Sequence, residues 1–486
     1  MLKYQKFSFI IFFFIFCFLL PAYGFTQPKS KIVLYPAPRG ETLSKLYHVS
    51  VNGRPLAVYL AKVAMGDNKQ RFKAVDDLLN SANYYDTAAF AYFDMRGAAI
   101  IRVSINNTIT KAKILPASAE IKIKKYQRYL TFTVTKPQDI TLEINGEVIK
   151  SLHVFINAIQ ATIPNANDPN VVFFGPGIHE VSNLIIGDNK TVYIAGGAIV
   201  RAMIGKDEKY NIEPSGLKNY EPRLFLSGKN IRLCGRGIID AGLCPTHAGN
   251  FIVLKGSNIA VEGVIIRNSC GWTVPIRQST DILIDNIKIL GYRANSDGID
   301  ICNSTNVIVK NCFIRTNDDL IVIKTEKGEG VARHIVVKNC VLYNQLANAL
   351  SLGAELRENV NDVLFSDCDI IHDIGRAWSL HIFQSDSSLV SNIRFENLRI
   401  EEAHQFISLW IGHDVASYTA NAGRIQGVTF KNIEVMGSPL NIDLVGVDSL
   451  HAITNVLFQK VWLNHKPLLD RDIKNNSFVK NIQINN

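Results

Sequence analysis

The sequence has few cysteines, little helical periodicity and, beyond its first residues, no long hydrophobic run. Eight cysteines in 486 residues, with no C-x-x-C spacing, argue against a disulfide scaffold and against a structural zinc site. No compact basic run is interleaved with aromatic residues, so we expect no nucleic-acid partner. Apolar residues make up 47% and charged residues 20%, which is typical of a folded protein. We therefore expect an all-β protein.

The N-terminus has the pattern of an export signal. Lys3 and Lys6 precede an apolar run at residues 7–20, and a small-x-small site follows at residues 22–24. This run is short for a bilayer span, so a retained anchor is the second interpretation. We predict a signal peptide at residues 1–24 and a periplasmic or secreted protein without a membrane partner after its removal.

The net charge is mildly positive. The formal charge of +9 includes the two lysines of the signal, which leaves +7 (9 − 2). Such an excess favours an acidic polysaccharide as a partner, but it also suits plain solubility. The charge alone leaves both interpretations open.

The chain has two regions with different sequence patterns. Residues 25–160 contain many short alternating runs separated by Asn and Gly turns, such as residues 56–60 and 130–134, which predicts a β-sandwich accessory domain. A Pro- and Asn-rich linker at residues 162–169 follows. Residues 161–486 then form a repeat.

The repeat consists of short β-like units that each close on Asn or Asp. From Asn286 to Asn432 these closing residues recur after 25, 28, 28, 30 and 35 residues. Such periods indicate stacked turns, because one unit cannot bury its apolar face alone. We predict a right-handed parallel β-helix, with a β-propeller as the competing architecture.

Three cysteines follow the same period. Cys312, Cys340 and Cys368 are 28 residues apart and each follows an Asn or Asp. We interpret them as a ladder of small buried side chains in successive turns. Metal binding or disulfide formation is the alternative.

Two acidic clusters lie one repeat apart, at residues 296–300 and 317–320. Asp297 and Asp319 are separated by 22 residues, so we expect them to stack in adjacent turns about 4.8 Å apart, with Asp318 beside them. Carboxylates this close cannot all ionise freely, which suits a proton donor beside a base. The alternatives are a solvated acidic edge or a cation site.

These motifs resemble those of glycoside hydrolase family 28, the polygalacturonases. The resemblance lies in Asn295-Ser296-Asp297, in Asp318-Asp319 and in the Gly-rich segments at residues 174–177, 195–198 and 235–240. The sandwich before the helix is similar to family 49, the dextranases and isopullulanases. Both families imply the pectin-lyase-like solenoid and inverting hydrolysis of an α-glycosidic bond without a cofactor or metal.

Carried over to this chain, the resemblance makes Asp318 the general acid. Asp297 and Asp319 would position and deprotonate the attacking water. Carboxylates about 5 Å apart are, however, usual for retaining enzymes. For contact with the sugar we predict Asn295, Asp300, Lys324, Asn348, Glu355, Arg376, Trp378 and His381, with Trp410 and His413 as further candidates.

The chain departs from family 28 at two places. Asn348 stands where the family has a histidine within Gly-His-Gly, and the Arg-Ile-Lys that grips galacturonate has no clear match near Arg376. Family 49 also lacks the histidine. We therefore expect a hydrolase whose partner is a polysaccharide or oligosaccharide, with the sugar, the linkage and the oligomeric state left open.

Two other functions are compatible with the same scaffold. A polysaccharide lyase would need a Ca²⁺ site and an Arg or Lys base, and the paired aspartates could hold the cation. A glycan-binding solenoid without catalysis would need only the cleft.

Overall fold

The computed structural model describes residues 30–65, 85–213, 216–373, 377–413, 417 and 421–486. The predicted signal peptide and Arg376 lie outside this range. Within it the protein consists of β-strands and two short 3₁₀ turns at Ala117–Ala119 and Asp470–Asp472. No helix in the described residues has the length and apolar character that a bilayer crossing requires.

Two antiparallel-rich sheets form the N-terminal part. One has the order β1-β5-β11-β10-β7 with β4 beside β5, and the other has the order β3-β2-β6-β9-β8. Their strands are β1 (Lys31–Leu34), β2 (Tyr47–Val51), β3 (Arg54–Leu56), β4 (Tyr59–Ala64), β5 (Tyr85–Arg96), β6 (Ala99–Ile105), β7 (Ala112–Leu115), β8 (Lys124–Lys125), β9 (Tyr129–Val134), β10 (Gln138–Ile144) and β11 (Glu147–Ala158).

The two sheets face each other across one apolar core. Val49 and Ile101 from one sheet pack with Phe93 and Val154 from the other, all fully or almost fully buried. This arrangement follows from the alternation of apolar and polar residues along each strand. The predicted sandwich is confirmed, and the domain boundary at residue 160 stays a prediction.

The remaining strands build one continuous 28-stranded sheet, with a separate two-stranded hairpin formed by β17 and β18. The first strands are β12 (Val171–Phe174), β13 (Gly177–Val181), β14 (Leu184–Ile186), β15 (Thr191–Ile194), β16 (Ala198–Ala202), β17 (Tyr210–Ile212), β18 (Lys218–Tyr220), β19 (Leu224–Gly235), β20 (Ile238–Asp240), β21 (Ile252–Glu262), β22 (Ile265–Arg267), β23 (Val274–Arg277), β24 (Thr280–Asp285), β25 (Lys288–Leu290) and β26 (Ile299–Cys302).

The later strands continue the same sheet to the C-terminus. They are β27 (Thr305–Lys310), β28 (Phe313–Thr316), β29 (Ile321–Thr325), β30 (Ala332–Lys338), β31 (Val341–Asn344), β32 (Leu350–Leu356), β33 (Val360–Ser366), β34 (Asp369–Asp373), β35 (Leu380–Gln384), β36 (Leu389–Ile411), β37 (Arg424–Val445), β38 (Ile453–Leu463), β39 (Lys466–Pro467), β40 (Lys474–Asn475) and β41 (Val479–Asn485).

Most strands of this sheet pair in parallel with a strand one to three places further along the chain, as β24 does with β27 and β27 with β30. This pairing winds the chain into a right-handed parallel β-helix, as predicted, and excludes the propeller. In β27 Val307 and Val309 point inward and are fully buried, whereas Ile308 lies outside. The inward residues of stacked turns form one long core.

The Asn and Asp residues that close each unit adopt left-handed backbone angles, which these residue types tolerate better than most. Their φ values lie between 53° and 58° for Asn286, Asn311, Asn339, Asp367, Asn397 and Asn432. Side-chain amides also bond between turns, as from Asn432 Nδ2 to Asn397 Oδ1 at 2.8 Å. The Asn period in the sequence therefore records a repeated turn conformation.

The cysteine ladder is confirmed. Cys312, Cys340 and Cys368 are buried and unbridged, and each Sγ lies 3.1–3.4 Å from the carbonyl two residues earlier. All seven cysteines in the described residues are free.

The sandwich and the β-helix meet at a seam that is partly apolar and partly ionic. Phe90 and Phe155 pack in one cluster with Phe313 and Tyr343 of the helix. Ion pairs join the two parts at the same seam, including Arg236 Nε to Asp94 Oδ1 at 2.9 Å. The seam fixes the sandwich against one side of the solenoid.

Candidate active site

The two acidic clusters lie on adjacent turns, immediately before β26 and β29. These strands pair from Ile299 with Ile321, which places Asp297 opposite Asp319. The Gly298 N–H donates to the Asp319 carbonyl at 2.8 Å. A Cβ at Gly298 would lie 2.3 Å from the Leu320 carbonyl oxygen, so only glycine allows the two turns to approach this closely.

The three predicted carboxylates converge. Asp297, Asp318 and Asp319 each present an oxygen within 4.8 Å of the others. The Asn295 and Asp319 backbone N–H groups each donate to Asp318 at 3.0 Å. The Asp318 side chain is therefore held in place from both acidic segments.

Burial and mutual repulsion perturb two of these acids. Burial, then the charges of Asp297 and Asp319, raises the pKa of Asp318 well above its ordinary value. Burial and the Asp297 charge raise the pKa of Asp319 to about 6. Asp318 therefore keeps its proton more readily than Asp319 at neutral pH.

Asn348 orients Asp319. Its backbone N–H and its side-chain amide both donate to Asp319 Oδ1 at 2.9 Å, and its own Oδ1 accepts from the Trp378 N–H at 3.1 Å. Hydrogen bonds to the ionised carboxylate lower its pKa and partly offset burial. At the place where family 28 has a histidine, this chain thus has an amide that supports an acid.

Lys324 holds the third acid. Its Nζ lies 3.1 Å from Asp297 Oδ2, 3.0 Å from Asp300 Oδ1 and 3.8 Å from the centre of the Trp272 ring. Burial alone would lower the pKa of Lys324, but Asp297 and Asp300 outweigh it and raise the pKa well above normal. The ammonium is therefore charged and committed to two carboxylates.

The prediction that Asp300 contacts the substrate is wrong. Its side chain is 0% exposed and lies against Lys324, so no sugar can reach it. Burial, and after it the Asp297 charge, raises the pKa of Asp300 well above its usual range. Asp300 supports Lys324 from within the protein.

The acids open into a cleft of about 310 Å³. Most of the predicted contact residues line it, namely Asn295, Lys324, Asn348, Glu355 and His381. Trp378 adjoins the cleft with its ring stacked on His381 at 6.4 Å. Burial lowers the pKa of His381 to about 4, so its ring is neutral. The rings of Phe383 in β35 and Trp410 in β36 stack with their centres 4.4 Å apart. The side chain of His413 is exposed.

A neighbouring recess of about 260 Å³ extends the cleft toward the N-terminal turns. It shares Trp272 and Asn295 with the cleft and adds His247 and Arg277. His247 Nε2 lies 3.0 Å from Asn295 Oδ1. We did not predict Trp272, His247 or Arg277 from the sequence, because they stand outside the acidic motifs. The distance from Trp272 to Asp297, 25 residues, equals one repeat and could have revealed Trp272.

A larger groove of about 760 Å³ lies elsewhere, along the seam between sandwich and helix. It contains none of the three acids, and its polar lining includes Asp139, Asn157 and Arg236. Size alone would favour this groove as the site. We place the site at the smaller cleft because the perturbed carboxylates converge there.

The fold and the cleft define the class: a right-handed parallel β-helix with three converging carboxylates on one face. Residues 240–439 match the family model of glycosyl hydrolases family 28, which confirms the predicted resemblance over that region. Both acidic clusters and Asn348 lie inside the matched region.

Known proteins with similar sequences and structures agree with this class. Exopolygalacturonase B of Aspergillus niger is 25% identical over 233 residues, which cover 44% of this chain and 45% of that protein. The chain thus spans less than half the length of such relatives. An exopolygalacturonase from Thermotoga maritima has a TM-score of 0.52 at 17% identity, covering 65% of this chain and 84% of its own.

A second solved structure covers both parts of the fold. Dex49A from Penicillium minioluteum has a TM-score of 0.59 at 13% identity and covers 93% of this chain and 96% of its own. At this identity the similarity establishes the fold alone. The combination of sandwich and β-helix therefore occurs as a unit in another protein.

Proposed function

We propose that this chain is an exported glycoside hydrolase that cleaves an α-glycosidic bond in a polysaccharide or a derived oligosaccharide. One observation carries the proposal: three carboxylates with different partners meet within 4.8 Å at the floor of an open cleft. Acid and base work on a glycosidic oxygen needs such a set of unequal carboxyl groups.

The partners assign the roles. Asp318, with the strongly raised pKa, protonates the leaving oxygen as general acid. Asp319, oriented by Asn348, and Asp297, held by Lys324, activate a water molecule between them. Because Asp297 is ion-paired, it is a poor nucleophile toward the sugar, and we propose inversion of the anomeric centre.

One oxygen of each acid lies within 4.8 Å of the others, and this closest approach does not distinguish inversion from retention. The proposal of inversion is therefore supported by the contacts of Asp297 with Lys324 and of Asp319 with Asn348, and by the family match. It does not depend on the distance between the acids.

We propose polygalacturonate or a related acidic glycan as the first substrate to test, since relatives such as exopolygalacturonase B of Aspergillus niger carry that name. A lyase is less well supported by the same contacts. Its base would have to be a cation in contact with the acids; Lys324 is bound to Asp297 and Asp300, and Arg277 stands two turns from Lys324.

The test is a comparison of the mature protein with Asp318→Asn on polygalacturonate, rhamnogalacturonan, dextran, pullulan and sulfated algal glycans, measured as new reducing ends. We expect turnover of at least one glycan, with the rate of the variant lower by roughly 10²–10⁴-fold and its glycan affinity retained. Asp207→Asn, an exposed acid of the β-helix, serves as the matched control.

Absence of product from all five glycans with folded protein would contradict the proposal. Equal binding by both proteins without any turnover would instead identify a glycan-binding solenoid.

A further inference from the structure

Two cations flank Trp272 on the cleft face of the β-helix. Lys324 Nζ lies 3.8 Å from the centre of its ring, and the Arg277 guanidinium carbon lies 5.1 Å from it. Both cations lie close to the indole ring, whose negatively polarised face attracts positive charge. Trp272 thus contacts both the lysine that pairs with the acids and Arg277.

The two cations occupy the same strand position two turns apart. Arg277 of β23 pairs with Cys302 of β26, and Cys302 pairs with Lys324 of β29. Two strand spacings, about 10 Å, therefore separate the backbone positions of the cations along the solenoid. Arg277 lies on the side of the acids toward the N-terminal turns, in the recess that continues the cleft.

Their charges are used differently. Lys324 Nζ is already paired with Asp297 and Asp300. Among the residues that the structure describes, no carboxylate lies within ion-pair distance of the Arg277 guanidinium, whose side chain is half-buried. The other titratable groups lining the recess are Glu213 and His247. Arg277 thus offers a cation to whatever enters the recess.

We propose that Arg277, supported by Trp272, is the subsite that receives an anionic substituent, a carboxylate or a sulfate, of a sugar bound next to the scissile bond. The planar guanidinium binds such oxyanions through two parallel hydrogen bonds. This inference rests on the proposed function. It supplies a carboxylate contact in a chain where the Arg-Ile-Lys of family 28 has no clear match.

The test measures binding separately from catalysis. In the Asp318→Asn background, the affinity for tetragalacturonate is measured by calorimetry with and without Arg277→Gln. We expect the added substitution to weaken binding about 10-fold or more, and Arg277→Lys to recover part of it. Arg333→Gln, an exposed arginine of β30, should leave binding unchanged.

Three further probes identify the chemistry. A sulfated carrageenan tetrasaccharide distinguishes a sulfate site from a carboxylate site, and isomaltotetraose reports binding without charge. The Arg277-dependent part of the affinity should weaken as salt increases. The proposal is overturned if Arg277→Gln leaves the binding of both anionic probes unaltered, or if only the neutral probe binds.

This outcome is distinguishable from failure of the proposed function. Arg277-dependent binding by a protein that hydrolyses nothing would keep this subsite and reject the hydrolase. Hydrolysis of an acidic glycan without dependence on Arg277 would do the reverse.

Discussion

Two lysines are buried in the same β-helix and differ in what surrounds them. Lys288, at the seam with the sandwich, is 1% exposed in its side chain, lies 3.7 Å from Asp139 and donates to Asn157 Oδ1 at 2.9 Å. Lys324, at the cleft, is 7% exposed and lies within 3.1 Å of Asp297 and Asp300. Burial lowers the pKa of Lys288 despite Asp139, whereas two acids raise the pKa of Lys324.

The difference shows how neighbours decide the use of a buried cation. One carboxylate at 3.7 Å does not offset the loss of water around Lys288, so amides complete its contacts and its role is structural. Two carboxylates at 3 Å more than offset the same loss at Lys324. That lysine therefore holds Asp297 in place by an ion pair, and the proposed water activation uses this carboxylate.

The largest expected effect is on kcat and tests the difference between the two lysines directly. Lys324→Met removes the cation from Asp297 and Asp300 and should lower kcat by roughly 10²-fold or more, because Asp297 then loses the ion-pair partner that holds it beside Asp318 and Asp319. Lys288→Met is the matched control and should keep kcat near the wild-type value. Equal losses of kcat in both variants would show that Lys324 acts only through stability.

A smaller effect concerns the orientation of Asp319. Asn348→Ala removes one of the two hydrogen bonds that favour the ionised carboxylate, so its pKa should rise above about 6. The acidic limb of the kcat/KM profile against pH should then move upward by about half a unit to one unit. A profile that stays in place, or moves to lower pH, would remove Asp319 from the catalytic acids.

The smallest effect on activity is expected at the seam, where Lys288→Met should change the stability of the fold. Burial raises the pKa of Asp139 to about 6, from an ordinary value of 3.8. A carboxyl group with a raised pKa favours the folded state at low pH, and this contribution is lost as pH rises through 6. Lys288→Met removes the cation that lowers this pKa, so the free energy of unfolding should fall by about 3 kcal/mol at pH 8 and by less at pH 5.

Calorimetric melting of wild type and Lys288→Met at both pH values measures this effect. A loss of stability that is larger at pH 5 would contradict the assignment of Asp139 as the titrating group.

Much of the fold was predictable because it repeats. The Asn and Cys periods mark a turn conformation and a buried position that recur in successive turns, so one alignment of the sequence with itself gives the architecture. Asp297, Asp318 and Asp319 were predictable for the same reason, since a one-repeat separation places two of them opposite each other.

The rest of the site depends on contacts between turns that the period does not encode. Alternation places Asp300 on the outer side of β26, but only the position of Lys324 shows that the carboxylate is buried. Arg277 carries no motif, and its importance comes from Trp272 and from the lack of an acidic partner among the described residues. Charge pairing across turns is thus the part that the sequence leaves open.

The most direct test of the account is the anomeric configuration of the first product, followed by proton NMR in the first minutes on the glycan with the highest turnover. If Asp318 protonates the leaving oxygen while Asp297 and Asp319 activate water, the first product has the inverted configuration and reaches the equilibrium mixture only by mutarotation. A first product that retains the configuration would mean that one of these acids attacks the sugar, which contradicts the roles assigned here.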